Sequence, residues 1–169
     1  SEPFKGRSAA GLYGDVMEEL DWSVGEILAT LRRLNLDGRT LVIFMSDNGP
    51  FLSYGEHAGS AAPLREGKLT VFEGGVRVPC LMRWPGRVPQ GRVSYVPFMA
   101  IDLLPTITDL VGGKAPARKT DGRSVKDLLL GEPGARAPHE AMFFYSGTAL
   151  QAVRSGPWKL HFAHPYITV

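Results

Sequence analysis

The chain has 169 residues, 44% of them apolar and 21% charged, with a formal net charge of +2. That balance belongs to a folded globular chain rather than a disordered one, and so small a charge, carried by scattered Lys and Arg, argues against a groove for a nucleic-acid backbone. No apolar run approaches the roughly 20 residues a membrane span needs, and the single cysteine, Cys80, allows no internal disulfide. The chain starts at Ser1 without a basic-then-apolar leader and stops at "PYITV", which reads as an internal piece of a longer protein.

After a polar stretch over residues 1–8, apolar positions recur at Leu12, Val16, Leu20, Val24, Ile27, Leu28, Leu31 and Leu34. Steps of three and four predict one long helix with an apolar face. Asp15, Glu18, Glu19, Glu26, Arg32 and Arg33 are expected on its opposite face, acids early and arginines late as the helix dipole favours. "NLDG" should stop it. "TLVIFM" (40–45) is apolar on both faces and predicts a central strand of a helix-covered sheet. Helix, short turn and buried strand together suggest an α/β architecture, in which ligands bind beyond the carboxyl ends of strands.

Residues 49–70 read as a long functional loop, rich in Gly, Ser, Ala and Pro. "GVRVPCLMRWPG" predicts a second short strand that ends at Pro85-Gly86. The spacing of Ile101, Leu104, Ile107, Thr108 and Val111 predicts a helix that Pro105 should kink or divide. "SVKDLLLG" predicts a short helix. "AMFFYSG", "ALQAVRSG" and "WKLHFA" predict three short strands joined by glycine-containing turns, making a small antiparallel sheet.

The chemistry concentrates at "SDNGP" (46–50), where the first strand ends. Neighbouring strand residues point to opposite faces, so Asp47 and Asn48 can meet one ion only if the chain leaves the strand there, and Gly49 and Pro50 permit that. A carboxylate and an amide carbonyl are hard oxygen donors suited to Ca²⁺ or Mg²⁺. The competing reading is an Asx turn, built from the commonest turn residues.

The sequence beyond this point resembles the arylsulfatase-type sulfatases of the alkaline phosphatase superfamily. Their pattern is S/T-D-N-G at a strand end, a variable loop, then L-R-x-G-K-x-T-x-x-E-G-G-x-R-x-P and W-P-G. Here it is matched at Asp47, Asn48, Gly49, Leu64, Arg65, Gly67, Lys68, Thr70, Glu73, Gly74, Gly75, Arg77, Pro79, Trp84, Pro85 and Gly86. "DLLPTITDLVG", "DGRSVKDLLLG" and "VRSGPWKLHF" resemble later segments of the same family.

The resemblance implies an alkaline phosphatase-like α/β domain over residues 1–110 and the start of a C-terminal α+β subdomain over 111–169. It implies Asp47 and Asn48 as two ligands of a divalent cation, usually Ca²⁺ with Mg²⁺ as the alternative. It implies Lys68 on an oxygen of a sulfate ester, aryl or carbohydrate, during hydrolysis, and export from the cytoplasm. Sulfuryl transfer develops charge on peripheral and leaving oxygens, which a cation and a lysine stabilise.

The nucleophile such enzymes use is a formylglycine made from Cys in C-x-P/A-x-R. Cys80 stands in "CLMRW", which does not fit, and reads as a buried strand residue. The formylglycine and the remaining carboxylate ligands are expected upstream of Ser1, so the 169 residues alone are expected neither to turn over sulfate esters nor to hold Ca²⁺ tightly. His57 is either a residue of the substrate entrance or an exposed loop histidine. Arg65 is expected to be structural, Glu73 and Arg77 to pair with each other or with the sheet end, Gly74-Gly75 to make a tight turn, and His161 to face the main domain from its strand. His139, His164 and Trp22 read as surface or core. A phosphodiesterase or phosphonate hydrolase of the same superfamily is the related alternative, against which "GKLTVFEGG" argues. A binding protein that keeps the fold without catalysis is the alternative of another class.

Overall fold

The computed structural model describes residues 1–114 and 116–166. The long helix, α1, spans Gly11–Arg33. It ends in a Schellman arrangement. Asn35 adopts a left-handed φ of 55°, its N–H bonds the Arg32 carbonyl at 3.0 Å, and the Leu36 N–H reaches back to the Leu31 carbonyl at 2.9 Å. Asparagine tolerates this conformation better than other side chains with a Cβ.

Two expectations for α1 need correction. Asp15 is not on a solvent face. It is buried and accepts hydrogen bonds from the Gly6 and Ser8 amides at 2.6 and 2.8 Å, so it ties the N-terminal segment down. The amides of Ser8 and Gly6 hold its carboxyl below the usual carboxylate range. The acids also begin after the first turn, which carries none, whereas Arg32 and Arg33 do sit in the last. The apolar stripe is present, but Leu12, Val16, Leu20, Ile27 and Leu34 are exposed among the described residues.

The first strand, β1 (Val42–Met45), pairs antiparallel with β2 (Cys80–Arg83), Val42 opposite Arg83 and Met45 opposite Cys80. Among the described residues β1 has this one neighbour, and Phe44 and Leu81 stay exposed, so β1 is not flanked on both sides as the apolar pattern suggested. The turn between α1 and β1 is pinned to β2: Arg83 donates to both carboxylate oxygens of Asp37 at 2.5 and 2.8 Å, and the Trp84 indole N–H bonds the Gly38 carbonyl at 2.9 Å. A bidentate guanidinium–carboxylate pair fixes orientation as well as distance.

After the single turn α2 (Glu73–Val76), the next helix, α3 (Leu103–Leu110), follows a 3-10 turn over Ala100–Asp102. Pro105 neither kinks nor divides α3. It lies in the first turn, where an N–H has no intrahelical acceptor to lose. The most deeply buried positions at the start of α3 are polar, with Leu103 and Leu110 half-buried beside them. Ile101, Leu104, Ile107 and Val111 are exposed, while Asp102 and Thr106 are fully buried. One Asp102 oxygen accepts from the Met99 amide at 2.8 Å, and the other from the Arg123 amide at 2.8 Å and lies 2.7 Å from His139 Nε2. Thr106 donates to the Asp102 carbonyl and accepts from the Val125 amide. The pair therefore clasps α3, the segment leading into α4 (Lys126–Leu130) and the segment before the last sheet. His139, read from sequence as surface or core, is the half-buried partner in this clasp.

The last sheet has the order β3 (Met142–Ser146), β4 (Ala149–Ser155), β5 (Trp158–His161), all antiparallel, with a bulge between Phe144 and Tyr145. Met142, Phe144, Ala152, Arg154, Lys159 and His161 occupy one face by register and are buried or half-buried, whereas Phe143, Trp158 and Leu160 on the other are exposed. The inner face is the one that meets the loops after β1.

Replacing Asp102 by Ala removes the buried carboxylate that the half-buried Met99 amide, the Arg123 amide and His139 share, and each lost charge-assisted hydrogen bond costs on the order of 1 kcal/mol or more. Urea unfolding of the Asp102→Ala variant is expected to show a loss of about 3 kcal/mol, against a loss within about 0.5 kcal/mol for a substitution at exposed Thr120.

Candidate functional site

Asp47 and Asn48 follow β1 directly, Asp47 exposed and Asn48 half-buried. The backbone leaves the strand as expected: the Ser46 hydroxyl donates to the Asn48 carbonyl at 2.8 Å and closes the bend. An Asx turn would engage a side chain of Asp47 or Asn48 with nearby amides, but the bend is held by Ser46 instead. Among the described residues no hydrogen bond occupies the Asp47 carboxylate or the Asn48 side-chain amide.

The position of this bend is set by glycines. The Gly49 N–H bonds the Gly75 carbonyl at 2.9 Å, and a Cβ on Gly49 would lie 1.7 Å from the Gly74 carbonyl oxygen. A Cβ on Gly74 would lie 1.8 Å from the Glu66 carbonyl oxygen, and on Gly75 2.3 Å from that of Thr70. A Cβ on Gly67 would meet the Pro50 carbonyl oxygen at 2.3 Å. Residues 48–50, 65–70 and 73–75 therefore touch backbone to backbone, and no side chain fits between them. Gly74 and Gly75 have no left-handed φ. They sit in the single turn α2 (Glu73–Val76), and what they supply is space.

Lys68 is delivered to the same cluster. Its N–H bonds the Pro50 carbonyl at 2.8 Å, and its ammonium, on an exposed side chain, lies 6.0 Å from the Phe51 ring centroid. Glu66 and Leu69 on either side of it have φ of 58° and 73°, left-handed values that cost a non-glycine residue on the order of 1 kcal/mol or more. Thr70 anchors the end of the segment, its buried hydroxyl bonding the Gly67 carbonyl at 2.8 Å. The structure thus brings Asp47, Asn48 and Lys68 onto one knot of loops.

His57 is exposed and ends a broken 3-10 stretch over Leu52–His57, outside that knot's hydrogen bonds. Cys80 is half-buried at the start of β2, and burial pushes its thiol up, away from a nucleophilic thiolate. Among the described residues no group of three or more His, Cys, Asp or Glu could hold a metal ion. Asp47 and Asn48 supply two hard oxygen donors, fewer than the six or more that Ca²⁺ takes.

Behind the knot stands the last sheet. Glu73 pairs with Arg154 at 2.7 Å and Lys159 at 2.8 Å, one cation per carboxylate oxygen, rather than with Arg77, which is exposed. Burial raises the Glu73 pKa, but Lys159 and Arg154 outweigh that and hold it below the ordinary range. Phe72 stacks on His161, ring centroids 4.5 Å apart, and the Arg65 guanidinium lies 4.0 Å from the Phe72 ring centroid while donating to the Tyr166 hydroxyl at 2.5 Å. His161 faces the loops as expected. Burial, then the neighbouring Lys159, His164 and Arg65 charges, lower its pKa. Sequence reasoning missed the Lys159 and Arg154 partnership with Glu73. Period-two alternation would have put both on the face shared with His161, but not opposite which loop.

The family profile described as Sulfatase matches residues 2–113, and that of the C-terminal region of aryl-sulfatase matches residues 137–168. The chain is 44% identical to steryl-sulfatase of Mus musculus over 96% of its own length and 27% of that protein's. It is 42% identical to arylsulfatase A of Bos taurus over 95% of its length and 32% of that protein's. Among solved structures, the PsFucS1 sulfatase from Pseudoalteromonas sp. superposes with a TM-score of 0.87 at 32% identity, over 95% of this chain and 32% of that one. The chain belongs to the sulfatase family, and its fold is the α/β fold of those enzymes with a small C-terminal antiparallel sheet. It spans about a third of the length of the relatives it matches.

The close approach at Gly49 makes a direct expectation. Gly49→Ala must displace the Gly74 carbonyl and is expected to cost ~2–3 kcal/mol by thermal or urea unfolding. Gly25→Ala, where an added Cβ in α1 meets nothing within 4 Å, is expected to gain ~0.5–1 kcal/mol.

Proposed function

We propose that this chain is the downstream part of a sulfuric ester hydrolase, and that the whole protein hydrolyses aryl or carbohydrate sulfate esters. The observation that carries the reading is the convergence of Asp47, Asn48 and Lys68 on one glycine-packed knot within a chain of the sulfatase family. In this reading the Asp47 carboxylate and the Asn48 amide oxygen hold one side of a Ca²⁺ ion. Their donor chemistry fits that ion better than Mg²⁺, which demands a stricter octahedron. Both are free of competing hydrogen bonds from described residues, which leaves their oxygens available.

When bound, the cation supplies charge that draws sulfate oxygens into place and offsets the charge they gain. Lys68 places an ammonium at the same mouth. Its backbone is fixed on both sides, by Pro50 and by the left-handed Glu66 and Leu69, so little reorganisation is needed when negative charge grows on a sulfate or leaving oxygen. His57 is the proposed outer residue of the entrance, exposed and able to donate to a substrate hydroxyl or sulfate oxygen. The attacking formylglycine and the rest of the cation's ligands belong, in this proposal, to parts of the protein other than these 169 residues, which alone would not turn over substrate. We place the division between the catalytic α/β part and the C-terminal subdomain near residue 110, so that 1–110 carries the knot and 111–169 the bracing sheet; residues 167–169 and Ala115 lie outside the described residues. By family the protein would work outside the cytoplasm. No described helix is long and apolar enough to cross a membrane.

In the full-length protein Lys68→Ala is expected to lower kcat for p-nitrophenyl sulfate by about 10²–10³-fold with the melting temperature nearly unchanged. A kcat within about threefold of wild type would remove Lys68 from the chemistry.

A further inference from the structure

We propose that the C-terminal sheet is a positioning element for the Asp47–Asn48 bend and the Lys68 segment, acting through Glu73 held between Lys159 and Arg154. This deepens the functional reading above and rests on it for the roles of those residues, but the coupling itself is a statement about structure.

The linkage has no slack. Glu73 opens α2, so its backbone and those of Gly74 and Gly75 move as one turn. The Gly74 N–H bonds the Arg65 carbonyl at 2.8 Å, three residues before Lys68, and the Gly75 carbonyl accepts from Gly49 at 2.9 Å, next to Asn48. Backbone atoms in contact on both sides of α2 transmit a displacement rather than absorb it.

At the other end the grip is built, not incidental. Lys159 Nζ lies 2.8 Å from one Glu73 oxygen and 4.0 Å from the Phe144 ring centroid, and its side chain is 11% exposed. Arg154 Nη1 lies 2.7 Å from the other oxygen, with its side chain 25% exposed. A surface ion pair with such partners in water would contribute next to nothing. Here both oxygens of one carboxylate are engaged, one cation is packed on an aromatic face, and the preceding residue, Phe72, is stacked on His161 of β5. Two adjacent residues of the loop are therefore fixed to β4 and β5 by different forces, and both forces act on the turn that sets Gly49 and Arg65.

The test is amide hydrogen exchange on the full-length protein without substrate, which needs no catalytic activity and so fails or succeeds independently of the sulfatase reading. Lys159→Met keeps the length and removes the charge. Exchange at the Gly49, Lys68 and Gly74 amides is expected to rise about tenfold while the α1 amides stay at their wild-type rates, and Lys159→Arg is expected to restore protection. Glu73→Gln, which keeps a carbonyl acceptor, is the milder variant should Lys159→Met not fold, with an expected rise of about threefold at the same amides. In the full-length protein Lys159→Met should lower kcat for p-nitrophenyl sulfate about tenfold with KM within about twofold, the split expected when a transition-state contact is misplaced. A rise confined to β5, a uniform rise over the whole chain, or a lowered melting temperature with kcat unchanged would overturn the proposal.

Discussion

Three stretches of backbone touch at Gly49, Gly67, Gly74 and Gly75, and the rest of the arrangement depends on that contact. Carbonyl oxygens of Pro50, Glu66, Thr70 and Gly74 occupy the volumes that Cβ atoms would need. The close approach lets the bend after β1 bond to α2, and lets the Lys68 segment bond to Pro50. A carboxylate, an amide and an ammonium from residues 47, 48 and 68 are thus set on one rigid base although none of their side chains touches another through a hydrogen bond among the described residues. Rigidity of the base matters because the proposed chemistry is electrostatic, and a preformed field loses its value if its sources must move.

Polar clasps hold the knot to its surroundings where the apolar core is thin. Asp37 with Arg83 fixes the entry to β1, Asp102 with Thr106 and His139 joins α3 to the segments before the last sheet, and Glu73 with Arg154 and Lys159 joins that sheet to the knot. Each is held by more than one hydrogen bond, which fixes direction as well as distance. The buried members also explain why some predicted apolar faces remain open. At α3 the fully buried residues are its N-cap Asp102 and Thr106, whereas Leu104 and Ile107 are exposed.

Much of this was legible in the sequence because it is local. Helical period, the stop at Asn35, the strand before "SDNG", the three hairpin strands and the family pattern all survive in the fold within a few residues. The illegible parts are those fixed by partners distant in sequence. Asp15 looked like a solvent-facing acid, because periodicity cannot see that two amides seven and nine residues away would turn to it. Gly74 and Gly75 looked like turn formers, but a sequence does not distinguish a glycine needed for φ from one needed for space. Glu73 was recognised as a pairing residue, with Arg77 the nearer candidate; its partners lie 81 and 86 residues away. The free oxygens of Asp47 and Asn48 were legible as chemistry, and only the structure shows that Ser46, not an Asx turn, closes the bend.

The central claim is that the strand-end pair belongs to a cation site. Its most direct measurement is the Ca²⁺ dependence of p-nitrophenyl sulfate hydrolysis by the full-length protein with Asp47→Asn, which keeps the shape and removes the charge. Loss of an anionic oxygen ligand should raise the half-saturating Ca²⁺ concentration by about tenfold or more. An unchanged half-saturation, with hydrolysis at the wild-type rate, would contradict the account.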